Sequence, residues 1–258
     1  MVWNRDTLIN EKRKEFILEM MKDVVKPYEM SETYEEEIVG EFENEIESDF
    51  FKLFSSLIEK PKIILDLACG DGRHTARLCD WTQLVVGVDL SNNNIVKAAR
   101  KLSDRQNVEF ICASMFNLPF PQDCFDGVWF SQAFEYVPPD LRESLMVQLW
   151  SLLKSDGIAY MSVETWQYPS LWTTIKELLG DISLFLYWKV IKRKPLICGE
   201  YLYYLPPTVD YRGWHYHVHA NKKTVNKLLK KIGFKVVKSN LRNGYIYVIC
   251  MKPEPRDV

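Results

Sequence analysis

The chain has 258 residues, of which 47% are hydrophobic and 26% charged, and these ordinary proportions exclude wholesale disorder and fibrous repeats. Its 33 basic and 35 acidic side chains give a formal net charge of −2, so no nucleic-acid partner is expected from overall charge. The apolar run at residues 182–188 is far shorter than the ~20 residues of a membrane-spanning helix, and the first residues lack the apolar stretch of a secretory signal.

Residues 1–60 are predicted to form an N-terminal helical cover. Ten acidic residues and no Lys or Arg lie between residues 29 and 49. Apolar residues nevertheless recur at helical spacing from Ile38 through Phe42 and Ile46 to Phe50, Leu53 and Leu57. This pattern indicates an amphipathic helix with a solvated acidic face.

Residues 61–164 alternate between short apolar runs and helical patterns, which is typical of an α/β core. The predicted strands are Ile63–Leu67, Leu84–Val88, Val108–Cys112, Phe125–Phe130 and Ile158–Val163. Near-continuous apolar strands separated by helices predict a doubly wound, mainly parallel sheet with both faces covered.

Residues 219–258 are predicted to complete this core. A helix at Lys222–Ile232 stops at Gly233 and is followed by apolar runs at 234–239 and 245–251. The link between the two runs contains Asn243-Gly244 and is too short for a crossover, so the last two strands should pair antiparallel. The expected fold is therefore a seven-stranded sheet with an antiparallel last strand.

Residues 165–218 do not fit the alternation of the core. Twelve aromatic side chains occur in this stretch, about twice the density elsewhere. We expect a lid inserted at the carboxyl edge of the sheet, where open α/β folds bind ligands. Such an aromatic lid favours a hydrophobic or planar small-molecule partner, although many of these rings could simply fill the lid's own core.

The strongest chemical signal is a glycine-rich turn after the first strand, containing Asp66, Gly70, Asp71 and Gly72. Glycine lets the backbone approach a ligand, and a carboxylate such as Asp89 at the end of the second strand can accept from ribose hydroxyls. Nicotinamide dinucleotides use the same geometry. Two acids at the loop would repel a pyrophosphate and suit a ligand with a cationic end, although Asp71 could also be an ordinary helix cap.

Four ordered stretches extend this signal: residues 66–72 (DLACGDG), 85–91 (VVGVDLS), 113–120 (ASMFNLPF) and 125–137 (FDGVWFSQAFEYV). With them the chain resembles the class I S-adenosylmethionine-dependent methyltransferases, in their branch with small-molecule or lipid acceptors. The resemblance covers residues 61–164 closely. It implies an enzyme with a Rossmann-like fold and S-adenosylmethionine as its cofactor.

The resemblance also implies a set of cofactor-binding residues: Asp66, Ala68, Gly70, Gly72, Asp89, Leu90, Ser114, Met115 and Ser131. Gly70 and Gly72 would pass under the methionine portion with Asp66 near its amino group, while Asp89 holds the ribose and Leu90 packs on the adenine. Ser114 stands where the family usually has an aspartate, Met115 would offer its backbone N–H, and Ser131 would border the methyl group together with Gln132.

Three of the four histidines lie within residues 215–219, and strand-like alternation would put them on one face. His217 is a candidate general base or acceptor-orienting group, and Tyr136 a candidate acceptor contact. A helix-capping histidine and a packing tyrosine are the competing interpretations. Neither the histidines nor the six cysteines, which show no Cys-x-x-Cys spacing, predict a metal site, and the cysteine usage favours a reducing, cytoplasmic setting.

We therefore expect methyl transfer to a small, hydrophobic or aromatic acceptor between lid and sheet. The alternatives are an RNA or protein methyltransferase and a non-catalytic scaffold with the same fold. Basic residues 189, 192, 193 and 194 follow the apolar residues 182–188. They are either the solvated end of a helix or part of an amphipathic element that makes weak peripheral contact with anionic lipid.

Overall fold

The computed structural model describes residues 11–30, 45–59, 61–204, 211, 213–242 and 244–254. In chain order the elements are α1 (Glu11–Met30), α2 (Glu45–Leu57), β1 (Ile63–Leu67), α3 (Arg73–Cys79), β2 (Leu84–Asp89), α4 (Asn92–Lys101), β3 (Val108–Cys112), β4 (Phe125–Phe130), α5 (Pro139–Leu152), β5 (Leu153–Glu164), α6 (Leu171–Leu186), β6 (Glu200–Tyr204), β7 (Trp214–Val218), α7 (Lys222–Ile232), β8 (Lys235–Arg242) and β9 (Tyr245–Met251). A 3₁₀ turn, Phe134–Tyr136, follows β4, and a π-helical turn, Tyr187–Ile191, follows α6.

The central sheet has seven strands in the order β3-β2-β1-β4-β5-β9-β8. Strands β1 to β5 are parallel to one another, and β9 runs antiparallel to both of its neighbours, β5 and β8. The predicted fold class, including the antiparallel last strand, is confirmed. Because β1 and β4 are neighbours although β2 and β3 come between them in the chain, the strand order reverses at β1, where open α/β sheets place their ligands.

The C-terminal helix α7 occupies the predicted residues 222–232. Asn221 caps its start by accepting a hydrogen bond from the backbone N–H of Thr224 (2.8 Å), and Gly233 ends it in the left-handed region with φ 115°, which glycine adopts without a steric cost. The residue that caps this helix is therefore Asn221 and not His219. In the link before β9, Gly244 also has a positive φ of 78°, while Asn243 lies outside the described residues.

Helix α2 packs on one face of the sheet through a cluster of aromatic rings. Phe50 and Phe54 are buried against Trp129 and Tyr160, and the last two rings are stacked with centroids 3.7 Å apart. This part of the predicted amphipathic helix is present, and the upstream part of the pattern, including Ile38 and Phe42, falls outside the described residues. Of the helices that the structure describes, none combines the length and apolar content needed to span a bilayer.

The described residues between 165 and 218 include α6, the π-helical turn and a two-stranded antiparallel sheet of β6 and β7. This small sheet is joined to α1 by a buried ionic network, because the Arg13 guanidinium contacts both Glu200 on β6 and Asp140 on α5. Trp188 donates from Nε1 to the carbonyl of Leu202 (2.9 Å), which connects the π-helical turn to β6. The division of the chain into cover, core, lid and closing segment remains a prediction.

Candidate active site

One cavity of about 430 Å³ lies along the carboxyl ends of the parallel strands. Its floor is formed by residues that follow β1, β2, β3, β4 and β5, and its far wall by α1, β6 and β7. Because β9 is antiparallel, its first residue, Tyr245, lies at the same edge, opposite Glu164 at the end of β5. Its lining includes Ala68, Gly70, Asp89, Leu90, Met115, Ser131, Gln132, Glu135, Tyr136, Glu164, Tyr201, Tyr203, His217 and Tyr245, together with Met21, Val24 and Tyr28 from α1.

The glycine-rich turn adopts left-handed backbone at three positions. Ala68 has φ 58°, Gly70 φ 55° and Gly72 φ 84°. Gly72 is the N-cap of α3, and a Cβ atom there would lie 3.1 Å from the Cβ of Ala98. Ala68 and Gly70 line the cavity, whereas Gly72 lies against α4 and is absent from the lining. The second glycine of the motif therefore allows close packing of the turn.

The carboxylate of Asp89 links this turn to the next strand. It accepts hydrogen bonds from the backbone N–H of Gly70 (3.0 Å) and of Ser91 (2.8 Å). Burial raises the pKa of Asp89, and these N–H donors oppose that rise. Leu90, the next residue, is 42% exposed at the cavity edge. A carboxylate and an apolar side chain thus stand side by side, as a ribose and an attached base require.

Of three further predicted cofactor residues, Asp66 and Ser114 do not line the cavity, whereas Met115 does. Asp66 lies beneath the turn, outside the lining, and accepts a hydrogen bond from the Thr75 hydroxyl (2.6 Å); burial raises its pKa to about 7. The Ser114 hydroxyl accepts from the backbone N–H of Phe116 (3.3 Å) and is also outside the lining. Met115 does line the cavity, and its carbonyl accepts from the Gln148 side chain (2.7 Å).

Ser131 lines the centre of the cavity and belongs to a buried polar cluster. Its hydroxyl donates to Glu47 on α2 (2.5 Å) and lies 3.1 Å from the hydroxyl of Ser162. Ser162 in turn accepts from the backbone N–H of Gln132 (2.8 Å), which has a positive φ of 50°. Tyr160 also donates to Glu47 (3.0 Å). The loop after β4 is therefore held from beneath by a carboxylate that the sequence did not indicate.

Both predicted catalytic candidates, Tyr136 and His217, line the cavity and contact each other. The ring of Tyr136 is in edge contact with His217, with centroids 4.9 Å apart, and with His215 at 5.2 Å. The rings of His215 and His217 are 5.2 Å apart, as expected for alternate residues on one strand face. His217 Nε2 lies 3.4 Å from the Tyr203 hydroxyl. The Tyr28 hydroxyl donates to that of Tyr136 (3.1 Å).

Two of the histidines, His217 and His219, form close contacts with carboxylates. Glu164 lies 2.6 Å from His217 Nδ1, and Asp181 on α6 lies 2.5 Å from His219 Nδ1. Burial opposes ionisation of Glu164, but His217 and His219 hold its pKa well below its usual range. Burial likewise lowers the affinity of His219 for a proton, but hydrogen bonds to Asp181 and Glu164 raise its pKa to about 9. Within the described residues, no group of three or more His, Cys, Asp or Glu side chains has metal-binding geometry.

Two acids of this cavity were not predicted from the sequence. Glu164 ends the apolar fifth strand, the same signal that singled out Asp66 and Asp89, so that reasoning could have found it. Glu135 lies in the fourth motif stretch and is buried, with no hydrogen-bond partner for Oε2 among the described residues. Burial, reinforced by the charge of Glu164, raises its pKa to about 8. No pattern in the sequence predicts that the Glu135 side chain is buried, so it could not be distinguished from an acid on the surface.

Titration of Glu135 and His219 should together make the fold less stable by about 5 kcal/mol as pH rises from 6 to 9. Both pKa values are raised, from 4.5 to about 8 and from 6.5 to about 9. The folded chain therefore holds more protons than the unfolded chain, and each stabilisation is complete below the ordinary pKa and lost as pH rises through the folded one.

Urea unfolding at successive pH values measures this slope. Glu135→Gln should flatten the part below pH 8, and the matched substitution at the surface residue Glu143, which pairs with Lys231 at 2.7 Å, should leave it unchanged. Equal slopes for the parent and the Glu135 variant would contradict the assignment.

Residues 64–157 match a protein-family model described as a methyltransferase domain. The demethylmenaquinone methyltransferase of Lactococcus lactis is 27% identical over 188 residues, which are 70% of this chain and 69% of that protein. The DhpI–SAH complex structure shares the fold with a TM-score of 0.66 at 18% identity, over 92% of this chain and 98% of that chain. A Burkholderia thailandensis 1,6-didemethyltoxoflavin-N1-methyltransferase, with bound 1,6-didemethyltoxoflavin and S-adenosylhomocysteine, has a TM-score of 0.59 at 17% identity, over 97% and 94% of the two chains.

The family match and the curated relative, together with the fold, confirm the class predicted from the sequence. The chain contains a class I S-adenosylmethionine-dependent methyltransferase domain, and it is a methyltransferase. Its cofactor is S-adenosylmethionine. The cavity fits such a group, since it combines a backbone turn open at Gly70, the carboxylate of Asp89 and the apolar side chains of Leu90 and Met115.

Proposed function

We propose that the enzyme transfers a methyl group to a small, hydrophobic or aromatic acceptor that binds between β6–β7 and the central sheet. The observation that carries this proposal is that a single cavity runs from the glycine-rich turn and Asp89 to the aromatic wall of Tyr136, Tyr203 and His217. A cofactor at one end and an acceptor at the other would share that space, and holding two reactants in contact supplies most of the catalysis in a displacement of this kind.

At the cofactor end, Asp89 would accept from the ribose hydroxyls while Leu90 and Met115 enclose the adenine. Ala68 and Gly70 would lie under the methionine portion, where positive φ angles keep the backbone close to the ligand. Asp66, Gly72 and Ser114 would act at one remove, since their contacts hold the turn and the loop after β3. Ser131 and Gln132 would border the transferred methyl group.

The acceptor end has the composition of a site for an apolar ring. Tyr136, Tyr201, Tyr203 and Tyr245 supply aromatic surface, and Met21 and Val24 from α1 add aliphatic surface. Pockets of this kind bind hydrophobic or planar ligands, with a few polar atoms fixing the orientation. The name of the Lactococcus relative points to a quinone, and the Burkholderia protein holds a planar heterocycle. Both fit the class of acceptor proposed here.

His217 would act as the general base for an acceptor that carries a hydroxyl group. Its Nδ1 faces Glu164 (2.6 Å) and its Nε2 points toward Tyr203, so Nε2 can take the hydroxyl proton while Glu164 stabilises the resulting imidazolium. S-adenosylmethionine supplies an electrophilic methyl group. The acceptor oxygen would form the new bond to that carbon as its bond to sulfur breaks. Tyr136 would orient the acceptor through its ring.

A macromolecular acceptor and a non-catalytic scaffold are the competing functions, and both are less consistent with the cavity. An RNA or protein substrate would need an open, charged surface, whereas the acceptor end is lined by aromatic rings and buried histidines. A scaffold has no use for a carboxylate held at the cavity wall by two backbone donors. We place the reaction in the cytoplasm, in keeping with the cysteine pattern.

Asp89→Ala should weaken the binding of S-adenosylhomocysteine by about 1–3 kcal/mol, because it removes charge-assisted hydrogen bonds to the ribose and frees the Gly70 N–H. Isothermal titration calorimetry measures the change. Asp89→Asn, which keeps one acceptor oxygen, should lose less.

The control for this titration is Asp80→Ala, which removes a surface ion pair with Arg105 (2.7 Å) and should bind as the parent does. Parental affinity in Asp89→Ala would refute the cofactor placement. An absence of heat with the parent chain would favour the scaffold.

A further inference from the structure

The outer face of α6 is apolar, although it points into solvent. Leu171, Ile175, Leu179, Ile182 and Leu186 recur at helical spacing along one stripe. Leu171 is 71% exposed, Leu179 60%, and Trp172 at the edge of the stripe 82%. In the π-helical turn that follows, Val190 and Ile191 are 60% and 68% exposed. Exposed apolar patches of this extent mark interaction surfaces.

The opposite face of α6 accounts for its attachment to the body of the protein. Asp181 pairs with His219, Thr174 and Tyr168 exchange hydrogen bonds of 2.8 and 3.0 Å, and Phe185 packs against the core. No residue of α6 itself is buried. The helix is thus held on its inner side by polar contacts and by Phe185, and the apolar stripe makes none of these contacts.

Basic side chains adjoin the stripe at its C-terminal end: Lys189, Lys192, Arg193 and Lys194. Lys189 donates to the carbonyl of Leu196 (2.5 Å) and Lys194 pairs with Glu19 (3.5 Å), so Lys192 and Arg193 carry the charge that faces solvent. Lys192 lies over the Tyr187 ring at 5.6 Å. The described acidic side chains of α6 are Glu177 and Asp181, and the second is engaged by His219 on the inner side. An apolar helix face next to a cluster of positive charges has the chemistry of a helix that lies in the interface of an anionic bilayer.

We propose that α6 and the π-helical turn dock the enzyme on an anionic lipid surface. The apolar stripe enters the boundary between headgroups and acyl chains, with Trp172 and Tyr187 at the interface depth that amphipathic rings prefer. The exposed side chains of Lys192 and Arg193 contact lipid phosphates. An anionic lipid surface matches both features, since its acyl boundary complements the apolar stripe and its headgroups complement the adjoining positive charges.

Docking would also connect the membrane to the cavity. Helix α6 packs on β6, and β6 contributes Tyr201 and Tyr203 to the acceptor wall. The proposed binding site of an apolar acceptor from the bilayer would therefore be lined by the strand, β6, on which the docked helix packs. Docking itself does not depend on methyl transfer, and an Asp89→Ala chain should still bind lipid.

Flotation of the full chain with vesicles tests the proposal. Vesicles of phosphatidylcholine mixed with phosphatidylglycerol should carry the parent protein, and pure phosphatidylcholine vesicles should carry much less, with binding weakened by added salt. The double variant Trp172→Ser/Leu179→Ser should partition about tenfold more weakly, since it removes apolar surface from the interface. Its matched control is Val147→Ser, an exposed apolar site on α5, which should bind as the parent does.

The charge contribution is tested separately. Lys192→Glu/Arg193→Glu should weaken binding to the mixed vesicles about tenfold, whereas Lys223→Glu/Lys227→Glu on the exposed face of α7 should leave it unchanged. Circular dichroism checks that each variant is folded. The proposal is overturned if the folded parent fails to float, if both charge variants lose binding equally, or if sedimentation shows a dimer that the Trp172/Leu179 variant dissociates without any vesicle binding.

Discussion

Arg13→Met should lower the free energy of unfolding by about 3–5 kcal/mol, because it leaves the buried carboxylate of Glu200 and the partly buried carboxylate of Asp140 without their positive partner. Arg13 donates from Nη1 to Glu200 (2.7 Å) and to the carbonyl of Pro195 (2.9 Å), and from Nη2 to Asp140 (2.6 Å). The Tyr216 hydroxyl donates to the same Glu200 carboxylate. Methionine preserves the aliphatic stem, so the loss reports the charge and its hydrogen bonds.

Urea unfolding followed by fluorescence measures this change. Lys14→Met is the control, since Lys14 forms an exposed pair with Glu11 that contributes less than about 1 kcal/mol. Arg13→Met/Glu200→Gln should recover part of the loss, as it removes a stranded charge. A loss below about 1 kcal/mol in Arg13→Met, or no recovery in the double variant, would show that the network does not hold α1 to β6.

The sheet could be predicted because each strand carries its own signal. Apolar runs bounded by turns give the five parallel strands, and the short link before Tyr245 forces the last pair to be antiparallel. The Arg13 network could not be predicted, since Asp140 and Glu200 lie 127 and 187 residues after Arg13 in the chain. From the sequence, Arg13 is one of three consecutive basic residues, 12–14, and that pattern predicts an exposed side chain. Tertiary packing removes it from water, since α1 lies against β7 and Arg13 contacts Asp140, Pro195 and Glu200.

The juxtaposition of the glycine-rich turn and Asp89, at the end of the cavity proposed for the cofactor, could be predicted for a related reason. Parallel strands bring their carboxyl ends to one edge, so Gly70 and Asp89 had to be neighbours whatever the detailed packing. Side-chain direction could not be read from the sequence: Asp66 accepts from the Thr75 hydroxyl, Ser114 accepts from the Phe116 backbone N–H, and neither lines the cavity. The pairing of Glu164 with His217 joins a core strand to the small sheet, and no local pattern encodes that contact.

His217→Gln should lower kcat by about 10²- to 10⁴-fold, the usual contribution of a positioned general base, while leaving the affinity for S-adenosylhomocysteine within about twofold. The expected split follows from the proposed placement, because His217 belongs to the aromatic wall of the cavity and Asp89 lies beside the glycine-rich turn, the ends proposed for acceptor and cofactor. Transfer of a radiolabelled methyl group to a panel of hydroxylated quinones and aromatic compounds measures the rate, and calorimetry measures the affinity.

Glu164→Gln separates proton transfer from positioning in the same assay. Glutamine keeps an acceptor atom for His217 Nδ1 but removes the charge that would stabilise an imidazolium, so kcat should fall by about 10- to 100-fold at neutral pH. The control is Glu177→Gln on α6, which removes a carboxylate that does not line the cavity and should leave kcat unchanged. If His217→Gln lost cofactor affinity and kcat in the same proportion, His217 would be a structural residue of the wall. If His217→Gln kept full activity on an acceptor with a hydroxyl group, no base would act at this position and positioning alone would account for the rate.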